Sequence, residues 1–256
     1  HREMVSPPDA ADVVARRRDV LTAVSDPKTK PELVAELGAS RSTVDRAIDG
    51  LLAHHYVERR GSEYVATYAG RQAVAAYERY LDRLDALDAV QPVLEELPPD
   101  VDIPPAVFEG ANVSESTPEA PDLPVEENVG VVMGANSFRG TGPAIFARYI
   151  DVFVALADGG TQTELILTER VVDRLADSYP DDLATLRARE EIAIYRITRT
   201  LPYAVWTAEH PDRTVSGIIV YSQNGIAGIV NNDTPAMNEW ATQQYERAKR
   251  DAELLS

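Results

Sequence analysis

Apolar residues in the first 70 positions recur at intervals of three and four, which is the spacing of an amphipathic helix. The pattern predicts three helices and then two short strands, which cover 9–25, 32–37, 41–54, 56–59 and 63–66. Pro31 suits the start of the second helix, and Gly38 suits its end. Ser40 is placed to cap the third helix, and Arg60-Gly61-Ser62 suits a tight turn between the strands. This order of elements is typical of a winged helix-turn-helix.

After residue 68 the pattern predicts one long helix, then a proline-rich segment, then strands that alternate with helices. The helix is predicted over 69–97, with a kink at Pro92. Residues 98–128 are rich in proline, which indicates a linker or an extended strap over the next domain. From Val129 onwards, the predicted strands are 129–133, 163–168, 193–198, 203–208, 215–222 and 226–231, and the predicted helices are 143–157, 169–178, 181–189 and 234–254. Asn224-Gly225 predicts a hairpin between the last two strands.

These elements predict an α+β chain in four parts. We expect a winged helix-turn-helix domain at 9–70 and a long connecting and dimerisation helix at 71–97. A proline-rich linker at 98–128 then leads to an α/β mixed-sheet domain at 129–256, which would serve for effector binding or dimerisation. The length of 256 residues suits two hydrophobic cores better than one.

Charge adds a prediction about the environment. The chain has 42 acidic and 25 basic side chains, a net charge of −17, and its lysines are Lys28, Lys30 and Lys249 alone. Hydrated carboxylates keep a surface soluble in brine, whereas a lysine stem exposes apolar carbon to it. The two biases together predict a cytoplasmic protein of a salt-loving archaeon, although acidity alone is common. The first 70 residues hold 10 basic and 11 acidic groups, and this local near-neutrality favours nucleic-acid contact there.

Composition and motifs exclude several classes of function. Cysteine is absent, so disulfides, thiolate metal sites and cysteine nucleophiles are ruled out. No apolar run reaches the ~18–20 residues of a membrane span. None of the four histidines has a lysine two places on, as a phospholipase-D-type site requires, and both the Gly-x-Ser-x-Gly elbow and the Walker loop are missing. We expect no enzyme activity, no cofactor, no bound metal and no membrane contact.

A winged helix-turn-helix reads DNA with the start of its third helix, because the major groove admits a helix and distinguishes base edges. Arg41 and Arg46 on that helix could chelate guanine, and the hairpin tip could reach the backbone or the minor groove. The residues expected to contact DNA are Lys28, Lys30, Ser40, Arg41, Ser42, Thr43, Arg46, Arg59 and Arg60. The alternative is a winged helix used only for protein contacts, with the same arginines forming a solvated face.

Two parts of the chain resemble known families. Residues 31–70 (PELVAELGASRSTVDRAIDGLLAHHYVERRGSEYVATYAG) resemble archaeal and bacterial winged-helix repressors. Three later segments are similar to the archaeal family named for a methanogenesis regulator, whose middle domain follows a winged helix: TELILTERVVDRL, ITRTLPYAVWTAE and GIIVYSQNGIAGIVNNDTPAMNEWATQQYERAKRDA. Leu201-Pro202-Tyr203 and Trp240 are its landmarks. The resemblance implies a transcriptional regulator with an effector or dimerisation domain, and it supplies no functional residues for the second domain.

The long helix carries an apolar stripe that a small winged domain could not bury alone. The stripe consists of Val74, Tyr77, Leu81, Leu84 and Leu87. Two-fold pairing of this helix would bury the stripe and would place two recognition helices on successive major-groove faces. We therefore expect a homodimer.

The second domain offers candidate effector-binding residues, because pockets with aromatic walls and a few polar groups suit small ligands. These residues are Arg139, Tyr149, Tyr203, Trp206 and Tyr221, although any single aromatic is more often a core residue than a ligand contact. The loop at 134–142 (GANSFRGTG) is either an anion site at a helix start or a glycine-rich turn, with Thr141 as the cap and Pro143 opening the helix. The sequence thus predicts a homodimeric, sequence-specific DNA-binding transcriptional regulator, with double-stranded DNA and a candidate small-molecule effector as partners.

Overall fold

A computed structural model describes residues 9–145, 147–223 and 225–255. Asn224, one half of the predicted hairpin signal, lies outside the described residues. The chain divides into two compact units, of which the first ends at Leu84 and the second begins at Asp85. None of the helices in the described ranges is both long enough and apolar enough to cross a membrane.

The first unit has the architecture of a winged helix-turn-helix, as predicted. Its helices are α1 (Asp9–Ala23), α2 (Lys30–Leu37) and α3 (Arg41–Ala53), and its strands are β1 (Lys28–Thr29), β2 (Val57–Arg60) and β3 (Glu63–Ala66). The strands form an antiparallel sheet in the order β1-β3-β2. Leu21, Leu33, Ile48 and Leu51 are fully buried at the centre of the unit. The two-residue β1 escaped prediction because it is too short to show any periodicity.

Local capping explains where these helices begin and end. The backbone N–H of Thr29 donates to Glu32 Oε2 at 2.7 Å at the start of α2. Gly38 ends that helix with φ of +60°, a conformation that glycine adopts without steric cost. Ser40 Oγ accepts a hydrogen bond from the backbone N–H of Thr43 at 3.2 Å, so Ser40 caps α3 as predicted.

The long helix α4 covers Tyr68–Leu94, so it ends three residues before its predicted limit, and Pro92 lies in its last turn. Val74 belongs to the apolar core of the first unit. Val90 and Val93 belong to an apolar cluster of the second unit. The two ends of α4 are therefore each anchored in a separate core.

The second unit is an α/β mixed sheet, again as predicted. Its elements are a 3-10 turn (Pro105–Phe108), β4 (Asn112–Glu115), α5 (Leu123–Val132), β5 (Ser137–Gly142), α6 (Ala147–Asp158), β6 (Gln162–Thr168), α7 (Glu169–Ser178), α8 (Pro180–Arg187), β7 (Ile192–Ile197), β8 (Ala204–Glu209), β9 (Thr214–Ser222), β10 (Gly225–Asn232), α9 (Pro235–Arg250) and β11 (Ala252–Leu254). The eight strands have the order β11-β7-β6-β5-β8-β9-β10-β4. Neighbours among β5, β6 and β7 are parallel, and the other pairs are antiparallel.

Both faces of this sheet are covered, and alternate residues of a strand face opposite sides. On β6, Leu165 and Leu167 belong to a large apolar cluster with residues of α5, α6, α7 and α8. Ile166 between them packs with Tyr245 of α9. We call these sides of the sheet the α6 face and the α9 face.

Two sequence predictions are wrong between residues 129 and 142. Residues 129–133, predicted as a strand, lie largely in α5, where Val125, Asn128 and Val132 are buried at helical spacing. A short apolar run cannot distinguish a strand from a buried helix by periodicity alone. The predicted loop at 134–142 contains β5, a central strand of the sheet. Consequently Thr141 is a strand residue and not a helix cap, and Pro143 precedes the helix, which the structure places at Ala147–Asp158.

Residues 98–128 also contain ordered elements, although they were predicted as a linker or strap. Val107 and Phe108 of the 3-10 turn are buried in the apolar cluster on the α9 face. Strand β4 pairs with β10 and forms one edge of the sheet. At the other end of the chain, helix α9 stops at Arg250, and residues predicted as its last turn form the opposite edge strand β11.

Candidate functional site

The first two turns of α3 carry four of the residues predicted to contact DNA. Arg41, Ser42, Thr43 and Arg46 are all exposed. Ser40 Oγ lies 3.0 Å from Ser42 Oγ and 2.8 Å from Thr43 Oγ1, so the three hydroxyls form one hydrogen-bonded group at the helix N-terminus. A helix N-terminus of this kind attracts phosphate, because its free N–H groups carry partial positive charge.

Helix α1 contacts α3 through the side chain of Arg17. Arg17 of α1 donates from Nη1 to the carbonyl oxygen of Arg46. Its guanidinium passes over Gly50, where an added Cβ would lie 2.6 Å from Arg17 Cζ. The side chain of Arg46 folds along its own helix, because Nε donates to the Ser42 carbonyl oxygen at 3.1 Å. Arg41 and Arg46 thus extend from a helix held by its neighbours.

The two predicted lysines are engaged within the unit. Lys28 Nζ lies 2.5 Å from Glu36 Oε2, and Lys30 Nζ lies 2.7 Å from Asp45 Oδ1 of α3. The hydrogen bond to Asp45 raises the pKa of Lys30. Contact between these ammonium groups and DNA would require the ion pairs to open or to be shared.

The β2–β3 hairpin carries the last two predicted DNA residues. Gly61 at its tip has φ of +62°, which a tight turn requires there. Arg59 Nε donates to the Gly61 carbonyl oxygen at 2.8 Å, and Arg60 Nη2 lies 2.6 Å from Glu58 Oε1. Both arginines are exposed, so their guanidinium groups are available beside the hairpin.

A second candidate site lies on the α6 face of the sheet in the second unit. A cavity with about 630 Å³ of empty space, part of it open to solvent, is lined by three predicted effector residues, Tyr149, Trp206 and Tyr221. Phe138 and Phe153 also line it. The ring centroids of Phe138 lie 6.3 Å from Trp206 and 5.7 Å from Phe153, and those of Tyr149 and Phe153 are 6.2 Å apart. The walls are therefore a connected group of aromatic rings.

The other two predicted effector residues lie on the α9 face. Arg139 alternates with Phe138 along β5, so its guanidinium points away from the cavity and lies 2.5 Å from Glu209 and 3.8 Å from Glu246. Tyr203, three residues before Trp206, stacks on Trp240 with centroids 5.9 Å apart. The structure brings Tyr149, Trp206 and Tyr221 together and leaves Arg139 and Tyr203 outside.

The cavity residues that sequence reasoning missed include Asn128, Phe138 and Phe153. Phe138 could have been found from strand alternation, had 137–142 been recognised as a strand. Asn128 gave no such signal, because it lies in a segment predicted as a linker. No group of three or more His, Cys, Asp or Glu residues within the described ranges could hold a metal ion.

Comparison with known families gives two matches. Residues 121–251 match the family described as methanogenesis regulatory protein FilR1, middle domain. Residues 10–89 match the family described as HVO_A0261 N-terminal domain. No curated protein matches the chain.

Solved structures give likenesses at low identity. The chain is similar to the archaeal chromatin protein TrmBL2, with 14% identity, a TM-score of 0.44, and coverage of 99% of this chain and 96% of that one. For HmgR from Pseudomonas aeruginosa the identity is 15%, the TM-score 0.26, and the coverage 95% and 98%. For polyphosphate kinase from Porphyromonas gingivalis the identity is 13% and the TM-score 0.39, with coverage of 66% of this chain and 27% of that one. All three TM-scores are below 0.5, so these likenesses carry no functional conclusion. The first family match spans just over half of the chain, and the chain therefore belongs to the archaeal transcriptional regulator family defined by the middle domain of the methanogenesis regulatory protein FilR1.

Proposed function

We propose that this regulator binds duplex DNA sequence-specifically as a homodimer, and that its second unit binds a small-molecule effector. The observation that carries the DNA-binding part is the capped start of α3, whose first two turns carry the exposed Arg41 and Arg46. Arginine can donate two hydrogen bonds to one guanine, which is the commonest specific contact in the major groove.

The distribution of charge supports the same assignment. Residues 1–70 have a net charge of −1, whereas the remaining 186 residues have a net charge of −16. At low salt the acidic part repels phosphate, which favours the first unit as the part of the chain that approaches DNA. Arg59 and Arg60 of the hairpin then supply phosphate or minor-groove contacts beside α3.

The middle of α4 supports the homodimer. Of the predicted stripe, Val74 and Tyr77 pack in the first unit, and Leu87 packs in the second. Leu84 remains 41% exposed beside the half-buried Leu81. Pairing of two copies across these leucines would remove apolar surface from water, and a two-fold axis there would present two α3 helices to one operator.

The proposed effector role rests on the aromatic cavity of the second unit. Three of the aromatic residues predicted for this role line it, and apolar walls with a few polar groups suit a small ligand.

The test is fluorescence anisotropy with a labelled duplex from the region upstream of the protein's own gene and a shuffled duplex of equal length, in molar potassium chloride. We expect tighter binding to the upstream duplex. Equal affinity for both duplexes would contradict sequence specificity. Binding to neither would favour the alternative, a winged helix that contacts only proteins.

A further inference from the structure

The aromatic cavity on the α6 face contains polar groups without partners, and these define what it can bind. Trp206 is 2% exposed, and its Nε1–H has no hydrogen-bond acceptor among the described residues. Asn128 is 6% exposed, and its Oδ1 has no donor within the same part of the chain. Both residues line the cavity. Leaving such buried groups unsatisfied is costly, because each has lost its hydrogen bonds to water.

The unpartnered groups differ in chemistry. The indole N–H can only donate, and the amide oxygen can only accept. A ligand that satisfies both must therefore carry an acceptor for Trp206 and a donor for Asn128. The surrounding rings of Phe138, Phe153 and Tyr149 favour an aromatic body, because ring pairs add attraction beyond their buried area.

Charge restricts the ligand further. Among the lining residues that the structure describes, none is charged. Arg139, the cation predicted for this site, is held on the other face by Glu209. Burial raises the pKa of Tyr149 and of Tyr221, so both phenols stay neutral near neutral pH. A carboxylate or phosphate placed here would lose its hydration without gaining an opposite charge.

We propose that this cavity binds an uncharged aromatic compound with one carbonyl-type acceptor, which accepts from Trp206 Nε1–H, and one N–H or O–H donor, which donates to Asn128 Oδ1. This inference rests on the proposed effector role of the second unit. The ligand is neutral because Arg139, the predicted cation, is paired with Glu209 on the other face.

The test uses the full chain without DNA, in molar potassium chloride, so that its outcome is independent of DNA binding. The three probes are acetanilide, which carries the acceptor and the donor, propylbenzene, which carries neither, and benzoate, which is an anion. Trp206 and Trp240 are the two tryptophans of the chain, and Trp240 lies on the α9 face. The variants W206F and W240F therefore make the same substitution inside and outside the cavity.

We expect acetanilide to bind the unmodified chain and W240F equally, with a change in Trp206 fluorescence and a rise in melting temperature. W206F should bind acetanilide about two- to tenfold more weakly, which is the loss of one hydrogen bond, and should bind propylbenzene as before. Benzoate should bind more weakly than acetanilide. The inference is overturned if acetanilide shows no saturable binding, if W206F binds it unchanged, or if benzoate binds as tightly.

A second variant covers the case in which W206F does not fold. Val129 is a half-buried lining residue on α5, and V129F adds bulk to the cavity from the helix side. We expect V129F to exclude acetanilide and propylbenzene alike, and unchanged binding of both would overturn the site. If acetanilide binds as expected while neither duplex binds, the DNA-binding proposal alone is wrong. If the upstream duplex binds as expected while acetanilide does not, the proposed ligand site alone is wrong.

Discussion

The indole of Trp206 occupies the space next to Gly217 that a side chain on the neighbouring strand would need. The two residues are register partners on β8 and β9. A Cβ built on Gly217 would lie 2.7 Å from Trp206 Cζ2 and 2.7 Å from the Val230 carbonyl oxygen. Gly140, the partner of Trp206 on β5, likewise has no side chain. The glycines on both sides allow a large ring to lie flat on the sheet and to form a wall of the cavity.

This relationship predicts the effect of G217A. The added methyl group would meet a backbone oxygen as well as the ring, so the sheet must shift, and we expect a loss of about 1–3 kcal/mol of unfolding free energy. Thermal or urea unfolding measures it. The matched control is G130A on α5, where a Cβ would meet no atom within 4 Å. The control should melt at or above the temperature of the unmodified chain. Equal melting temperatures for G217A and G130A would contradict this packing of Trp206 against Gly217.

The arginines of α3 predict a pattern of DNA affinities. R41A and R46A should each cost about 1–3 kcal/mol of operator binding if the side chain reads a base, and should reduce the preference over a shuffled duplex. R59A in the hairpin should weaken binding to all duplexes alike. It should also reduce the slope of log affinity against log salt concentration by about one. R174A, at an exposed position on α7, is the control. Unchanged affinity in both R41A and R46A, with folding intact, would remove α3 from the interface.

The exposed leucines of α4 predict the oligomeric state. The double variant L81E/L84E should be monomeric by light scattering at high salt, and its operator affinity should fall, because only one half-site can then be engaged at a time. R79E makes the same change of two charge units two residues before Leu81, on the opposite side of the helix. This control should remain dimeric. A mass of one chain for the unmodified protein would refute the pairing.

A polar group on the α9 face predicts a dependence of stability on pH. Glu164 Oε2 accepts hydrogen bonds from Lys249 Nζ at 2.6 Å and from Tyr245 OH at 2.5 Å. Burial by itself would raise the pKa of Glu164, but these hydrogen bonds outweigh it and hold the pKa below the ordinary value of 4.5. The ionised carboxylate therefore stabilises the fold above that value, and its contribution is lost as the pH falls through the lowered pKa.

We expect the melting temperature of the unmodified chain to fall as the pH drops below 4.5, the ordinary pKa of Glu164. E164Q should be less stable at neutral pH and should lose part of that pH dependence. E239Q, at an exposed position on α9, should behave like the unmodified chain. Parallel pH curves for E164Q and the unmodified chain would argue against this contribution.

The charge of −17 predicts an unusual response to salt. Beyond residue 70, 31 carboxylates face 15 basic groups, so their repulsion in dilute buffer should lower stability. At 1 M salt the Debye length is ~3 Å, which screens this repulsion. The melting temperature should rise from low to multimolar potassium chloride, and more than in sucrose of equal osmolality. Operator affinity should fall less steeply with salt than for a basic regulator, and a slope like that of about six or more released counterions would contradict this.

Local chemistry made the first unit predictable. The Ser40 cap, the Gly38 stop and the apolar spacing of α3 act between residues a few positions apart, so they can be recognised in the sequence and persist in the fold. The mixed sheet of the second unit could also be predicted, because β6, β8, β9 and β10 carry strong apolar patterns between turns.

Tertiary structure decided the identity of β5 and the composition of the cavity. Gly140 and Gly142 argue against a strand in the sequence, yet both lie in β5, where the side chains of Phe138 and Leu167 occupy the space beside them. The α6 and α9 faces are both buried, so hydrophobicity alone does not tell which strand residues share a side. The register of the paired strands decides which alternate residues share a face. It places Trp206 with Tyr221 and separates Arg139 from both. The sequence therefore determined which aromatic and charged groups the second unit contains, and only the pairing of distant strands decided which of them meet.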